Sequence, residues 1–368
     1  LQDRQRVRGN GRASGCASGR ASGNRWGSQE KYHTGPALQW LALRMPSSPA
    51  NGHRIPWPML AIGRSPAGRY PVCVLPVPRA IIVPASSALA LRCLIFAMTA
   101  IDRTFWTDVL TFTADLAQHT GQQLLKDFAG DRATTEKDDG TLLTQSDTWA
   151  DATLRQAIAD RFPDHGLLSE EGNHDLPDRD WCWIIDPIDG TTNFSHGIPV
   201  WGISIGLLYR GWPVFGYLYY PPTQEACYGF WPGETGLDLE PGAFRNGRPI
   251  RTTSADPGPN QTFSFCTRSI ERAPRPFCCK IRAIGSASYN LLTVATGSMV
   301  GAYELTPKAW DIAAVWPILQ AAGATWISLE AYPPFPLTPG DSYGKRSNAC
   351  LVVARADLGD FFRRAIGI

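Results

Sequence analysis

The sequence predicts an α+β to α/β chain, in which a mixed sheet carries helices on its faces. Three observations lead there. The apolar run Trp181 to Ile185 ends in Asp186 and is followed by Pro187. Such a run suits a buried strand, because aromatic and β-branched side chains pack well on a pleated surface. Phe105, Val109, Phe112 and Leu116 step by four, three and four, which places them on one face of a helix. Beyond residue 280, short strand-like and helix-like segments alternate, the pattern of a sheet covered by helices. A chain of 368 residues is long for one domain, so one large or two smaller units are expected.

Residues 1–97 stand apart from the rest. The first 30 are Arg, Gly, Ser and Ala in loose repetition, a composition that cannot build a core. Nine prolines are scattered through residues 46–84, enough to break regular structure. Residues 80–97 are fairly apolar, but Pro84 and Arg92 interrupt a segment barely long enough to span a bilayer. An Arg- and Ser-rich, acid-poor leader also fits an organelle transit peptide. The favoured reading is upstream sequence outside the native protein, with Met98 near the native start. These residues are therefore left out of the fold argument.

From Asp102 the pattern is orderly. The first helix extends through Leu125 and Phe128 to Gly130. Residues 131–140, with Glu136, Lys137, Asp138 and Asp139 close together, read as a solvated loop. Ser146 or Asp147 caps a second helix carrying Leu154, Ile158 and Phe162 on its apolar face, which Pro163 stops. Residues 166–169 form a short strand that delivers Glu170 and Glu171. The Trp181 strand is expected to stop at Asp186, since Pro187 offers no N–H to a ladder. Residues 202–209 and 213–220 form a hairpin, and Asn246-Gly247 marks another turn. Strands near 280–284, 299–304, 326–329 and 351–353 then alternate with helices over 286–296, 309–322 and from Leu358 onward.

Composition narrows the function. The net charge is +2, but residues 1–97 carry 13 Lys and Arg against Asp3 and Glu30, a net of +11; the remainder carries −9. An acidic folded part argues against a nucleic-acid surface and suits a protein that gathers cations. Nine cysteines without a C-x-x-C pair read as free thiols of a reducing compartment.

Asp186 and Asp189 stand three residues apart at the mouth of a sheet. Gly190 allows close backbone approach to a ligand, and Thr191 and Thr192 offer hydroxyls and N–H groups at a helix start. Carboxylates that cannot be buried unpaired, beside donors suited to an anion, point to a divalent metal holding a phosphate. Taken alone, Asp-x-x-Asp-Gly reads equally well as an acidic turn after a strand.

The stretch WIIDPIDGTTNF, residues 183–194, resembles the signature of the inositol monophosphatase family, magnesium-dependent and lithium-sensitive sugar and polyol phosphatases. Three further patches carry the resemblance, in the family's order: Ser146-Asp147 with Lys137 upstream, Ser169-Glu170-Glu171-Gly172, and WDIAA beginning at Trp310-Asp311. Together they cover about residues 98–368. The resemblance implies the layered αβαβα sandwich of the inositol monophosphatase and fructose-1,6-bisphosphatase type. An α+β half would span residues 98–245, and an α/β half residues 246–368. It implies that Glu170, Asp186 and the carbonyl of Ile188 hold one Mg²⁺, and that Asp186, Asp189 and Asp311 hold a second. Thr191 with Asp147 would orient and deprotonate the attacking water, with Glu170 also catalytic. The N–H groups of Gly190 and Thr191 would receive the phosphate, while Gly285, Ser286, Ala287 and Glu304 would contact the substrate. Lys308 matches no common family residue, and an added cation there would favour a second phosphate or an acidic substrate.

The implied activity is hydrolysis of a small phosphate monoester, myo-inositol monophosphate first. Histidinol phosphate, fructose 1,6-bisphosphate and a nucleotide 3′-phosphate are the alternatives, with a non-catalytic binding role on the same fold as the reading from another class. A cytoplasmic homodimer is expected, without a nucleic-acid or membrane partner; a plastid or other organelle is the alternative if the leader is a transit peptide.

Overall fold

The computed structural model describes residues 85–368 other than 131, 133, 138, 139 and 141, with side chains from residue 103 onward. Residues 1–84, most of the basic leader, lie outside the described residues. Helix α1, Ala85–Ala129, contains the expected 105–128 segment and runs through the 97/98 position.

Within the stretch expected as a loop lies a short strand, β1 (Thr134–Glu136), paired antiparallel with β2 (Leu142–Thr144) just after it. Helix α2, Gln145–Arg161, starts one residue before the expected caps. Thr144 is its N-cap, and Asp147, three residues on, accepts the Thr144 N–H in a capping box. Strand β3 is Gly166–Ser169, as the sequence predicts. Strand β4, Trp181–Asp189, passes Pro187 instead of stopping at Asp186. Its register against the next strand breaks between Asp186 and Asp189, a bulge that accommodates the missing N–H and leaves both acids at the strand end. A short helix α3, Thr191–Ser195, follows Gly190 at φ 95°.

Strands β5 (Gly202–Tyr209) and β6 (Trp212–Tyr220) form the expected hairpin. Both turn residues, Arg210 and Gly211, have positive φ, as a tight two-residue hairpin requires. Strand β7 (Glu225–Phe230) and the small hairpin β8 (Gly242–Arg245) and β9 (Arg248–Pro249), turning at Asn246-Gly247, complete a seven-stranded sheet in the order β3 to β9. The 245/246 position falls in that last turn.

The second sheet is built from β10 (Thr262–Phe265), β11 (Lys280–Arg282), β12 (Gly301–Glu304), β13 (Thr325–Ser328) and β14 (Cys350–Val353), in the order β11-β10-β12-β14-β13. Helix α4 is Ala287–Ala295. The helix expected over 309–322 is two, α5 (Ala309–Ala313) and α6 (Val315–Ala322), and α7 is Leu358–Ile366.

Three apolar clusters separate five layers. One lies between α1 and α2 and the outer face of the seven-stranded sheet, around Val109, Leu154, Trp183 and Ile205. A second fills the middle around α4, α5 and α6, joining Ile184, Leu218, Leu291 and Ile318. The third lies under α7, with Phe263, Phe265, Val353 and Phe362. This is the αβαβα sandwich. Gly206, Gly216 and Gly229 stand opposite one another across β5, β6 and β7. A Cβ at Gly216 would lie 1.8 Å from the Ala314 carbonyl, and one at Gly206 3.0 Å from Ala313. The bare glycine row lets α5 and α6 rest directly on the sheet, carrying Asp311 to the end of β4.

Candidate active site

The end of β4 gathers acids from three parts of the chain. Carboxylate oxygens of Asp186, Asp189 and Asp311 lie within 4.8 Å of one another. Asp186 and Asp189 are buried and Asp311 is half-buried. Glu170, just past β3, joins them through a side-chain contact with Asp186. Lys137 on the β1–β2 hairpin ion-pairs with Glu170 at 3.1 Å and also with Glu171. Burial works against the Lys137 ammonium, but the two glutamates more than compensate and hold its pKa above the ordinary value.

Burial pushes the Asp186 carboxyl well above its ordinary value, and Glu170, Asp189 and Asp311 add to the shift. Asp311 moves the same way, first from burial and then from Asp189 and Glu170, against the opposing N–H and charge of Lys308. Burial also lifts Glu170 to about 7, with Lys137 opposing and Glu171 adding. Three carboxylates this close and this far from bulk water repel one another unless a cation joins them, and all-oxygen donors suit a hard divalent ion. The residues fit Mg²⁺.

Asp189 is also anchored from the far half of the chain. Its Oδ2 accepts the Ser286 hydroxyl at 2.5 Å, the Ser288 N–H at 2.8 Å and the Ser288 hydroxyl, while Oδ1 accepts the Ala287 N–H at 3.0 Å. Ser286 is the N-cap of α4, so one carboxylate closes that helix start and faces the acidic cluster. Asp311 likewise accepts the Lys308 N–H at 2.6 Å at the start of α5.

The Thr191 hydroxyl lies 3.2 Å from Asp147 Oδ1 and 2.9 Å from the Ile188 carbonyl. Thr144 donates to Asp147 Oδ2 from its N–H at 2.8 Å and from its hydroxyl at 2.5 Å. Burial raises the Asp147 carboxyl, and those bonds, with Thr191, oppose the rise.

Beside the acids lies a cavity of about 450 Å³, lined among others by Thr192, Asn193, Arg268, Ser286, Glu304 and Asp311. Gly285 and Ala287 also line it, whereas Gly190 and Thr191 do not. Glu304 is buried, its Oε1 accepting the Asn290 side-chain N–H at 2.7 Å, and burial holds its carboxyl well above the ordinary range. The Lys308 side chain is not in the lining, although its charge bears on Asp311.

Several participants escaped the sequence reading. Ser288 was missed, although with Ser286, named as a substrate contact, it forms a readable capping signal at a helix start. Asn290, Arg268 and His174 had no local signature. The His174 ring stacks on Trp310 with centroids 4.9 Å apart, and its Nε2 lies 2.7 Å from the Glu170 carbonyl. It thereby ties the Glu170 loop to the helix that carries Asp311. The six cysteines whose side chains are described are free, and Cys278 and Cys279 have sulfurs 3.8 Å apart. Among the described residues, no helix is long and apolar enough to cross a membrane.

The chain is similar to several known proteins. A family model described as the inositol monophosphatase family matches residues 106–352. An inositol-1-monophosphatase of Synechocystis is 37% identical over 196 residues, covering 50% of this chain and 66% of that protein. A histidinol-phosphatase of Chlorobaculum parvum is 32% identical, covering 59% of this chain and 84% of the relative. A Nus factor SuhB of Pasteurella multocida is 31% identical, covering 58% and 83%. Among solved structures, an IMPase of Thermotoga maritima superposes with a TM-score of 0.58 at 27% identity, covering 71% of this chain and 97% of that one.

Proposed function

This chain belongs to the inositol monophosphatase family, and from that premise we propose that it is a Mg²⁺-dependent phosphomonoesterase of small polyol or sugar phosphates, with myo-inositol monophosphate the leading substrate. The observation that carries the reading is the meeting of Asp186, Asp189 and Asp311 within 4.8 Å, from a strand end and a distant helix.

Asp186 would bridge two ions, with Glu170 and the Ile188 carbonyl on one side and Asp189 and Asp311 on the other. For the ligand role, the Ile188 carbonyl would share its lone pairs with the Thr191 hydroxyl it now accepts. Bound Mg²⁺ supplies charge neutralisation for a phosphate dianion and a lowered pKa for water. The chain's own groups do the rest. Thr191, held between Asp147 and Ile188, orients the attacking water and passes its proton toward Asp147. The N–H groups of Gly190 and Thr191 would receive a phosphate oxygen at the start of α3, just outside the lining of the cavity. Gly285, Ser286, Ala287 and Glu304 shape the polyol end of the cavity. Residues 98–245 and 246–368 contribute one part of the site each, in a cytoplasmic homodimer.

The histidinol-phosphatase relative keeps the substrate open within this reaction class, and the SuhB relative keeps a binding role beside it. One experiment addresses both. Phosphate release by the full chain with Mg²⁺ is measured across inositol, sugar, histidinol and nucleotide phosphates, for wild type and Asp186→Asn. The expected result is turnover that Asp186→Asn abolishes. Asp186→Asn activity within tenfold of wild type, only about 1.4 kcal/mol in barrier, would overturn the assignment.

A further inference from the structure

We propose that Arg268 forms a distal anion subsite, so that the preferred substrate carries a second acidic group, phosphate or carboxylate, at the end remote from the phosphate that is cleaved. The inference rests on the phosphatase reading above and deepens it. Arg268 lies in the loop after β10 and lines the same cavity as Ser286, Glu304 and Asp311. Its Nη1 donates to the Thr306 hydroxyl at 2.5 Å, and Thr306 lines the cavity too. That bond steadies the guanidinium at the wall without neutralising it.

Among the described residues Arg268 forms no ion pair, unlike Arg155, Arg161, Arg210, Arg245 and Arg355, each of which meets a carboxylate. Four of its five N–H donors are left for a ligand. Lys308, the cation that the sequence singled out, bears on Asp311 and is absent from the cavity wall. The unpaired charge facing the cavity is therefore Arg268. A planar fork of donors lining the same cavity as Glu304 and Asp311 fits a ligand with separated roles. One phosphate goes to the acid cluster with its cations, and a second anion goes to the guanidinium.

The test uses the full chain with Mg²⁺ and three ligands on one six-carbon skeleton: glucitol 6-phosphate, gluconate 6-phosphate and glucitol 1,6-bisphosphate. Turnover and calorimetric binding are both measured, for wild type, Arg268→Gln and Arg268→Lys. Wild type should favour one or both ligands with a second anionic end over glucitol 6-phosphate by about ten- to hundredfold, the range of a charge-assisted pair. Which of the two wins identifies the anion as carboxylate or phosphate. Arg268→Gln should collapse that ratio toward one, and Arg268→Lys should retain part of it. Equal binding of all three ligands by wild type, or an unchanged ratio in Arg268→Gln, would overturn the subsite. Absence of turnover with the binding preference intact would instead count against the phosphatase reading and leave the subsite standing.

Discussion

The Ser288 hydroxyl donates to Asp189 Oδ2, and the Tyr220 hydroxyl lies 2.8 Å from that same serine oxygen. A buried tyrosine of the first sheet thus steadies a serine at the start of α4, which in turn orients an acid at the end of β4. Partners of this kind set the direction of a ligating carboxylate, and their loss costs roughly ten- to hundredfold in metal affinity.

Ser288→Ala should therefore raise the Mg²⁺ concentration for half-maximal activity by about tenfold. Tyr220→Phe should raise it less, since Ser288 retains its own bond to Asp189. Activity titrated against Mg²⁺, together with Mg²⁺-dependent melting, checks both. An unchanged requirement in Ser288→Ala would mean that Asp189 needs no such support or holds no ion.

The Thr191 hydroxyl has one proton and two acceptors in reach, Asp147 Oδ1 and the Ile188 carbonyl. If the Thr191–Asp147 pair works as a unit on the attacking water, Thr191→Val and Asp147→Asn should each lower kcat about 100-fold or more. KM should change little, and the double variant should be no slower than the worse single one. Additive losses would separate the two residues into independent roles. Asp147→Asn also touches the capping box, where the Asn carbonyl oxygen can still accept the Thr144 N–H, so the start of α2 should weaken by less than about 1 kcal/mol. A melting curve tells that structural cost from the catalytic one.

Much of this architecture was legible because the responsible signals are local. The strand 166–169, the Arg210-Gly211 and Asn246-Gly247 turns and the order of the acidic patches all follow from neighbours in the sequence. Two of the failures share one cause, long-range compensation. Pro187 should end a strand, but the bulge against β5 absorbs its missing N–H. Residues 131–140 look solvated, but Lys137 finds Glu170 and Glu171 more than 30 positions away and the hairpin forms over them. Ser146 and Asp147 both looked like caps. Thr144 took that position because Asp147 could then bond back to its N–H. Arg268 had no local signal at all, since only the folded cavity reveals that no acid among the described residues meets it.

The acids also make stability depend on pH. Glu170, lifted to about 7 from an ordinary 4.5, binds a proton in the folded state over a range where the unfolded chain has lost it. A raised carboxyl pKa supplies stability that is complete below about 4.5 and lost as pH rises through about 7. For one group the loss at pH 8 is about 3 kcal/mol, and the upward shifts of Asp186 and Asp311 act in the same direction. Metal-free protein should therefore melt at a lower temperature at pH 8 than at pH 5. Added Mg²⁺ should recover the difference, with a larger gain at pH 8, where it meets carboxylates already ionised. Melting curves at both pH values, with Mg²⁺ and with a chelator, check this. A Mg²⁺ gain no larger at pH 8 than at pH 5 would contradict it.

Asp311 has two assignable roles that one substitution can separate. It accepts the Lys308 N–H at 2.6 Å at the start of α5, a capping bond that Asn can reproduce through its own carbonyl oxygen. It also completes the triad with Asp186 and Asp189, where Asn brings the same shape without the charge. If the cap were its whole role, Asp311→Asn would change stability by less than about 1 kcal/mol and leave metal dependence alone. If it holds the second ion, that site drops from three carboxylates to two while Glu170, Asp186 and Ile188 keep theirs. Asp311→Asn should then raise the Mg²⁺ requirement at least tenfold. It should also lower sensitivity to lithium, a cation of similar size and single charge that would compete for this site after hydrolysis. Steady-state kinetics across Mg²⁺ and Li⁺ concentrations, beside a melting curve, separate the roles. A folded Asp311→Asn protein with wild-type dependence on both ions would leave Asp311 as a helix cap and move the second ion elsewhere.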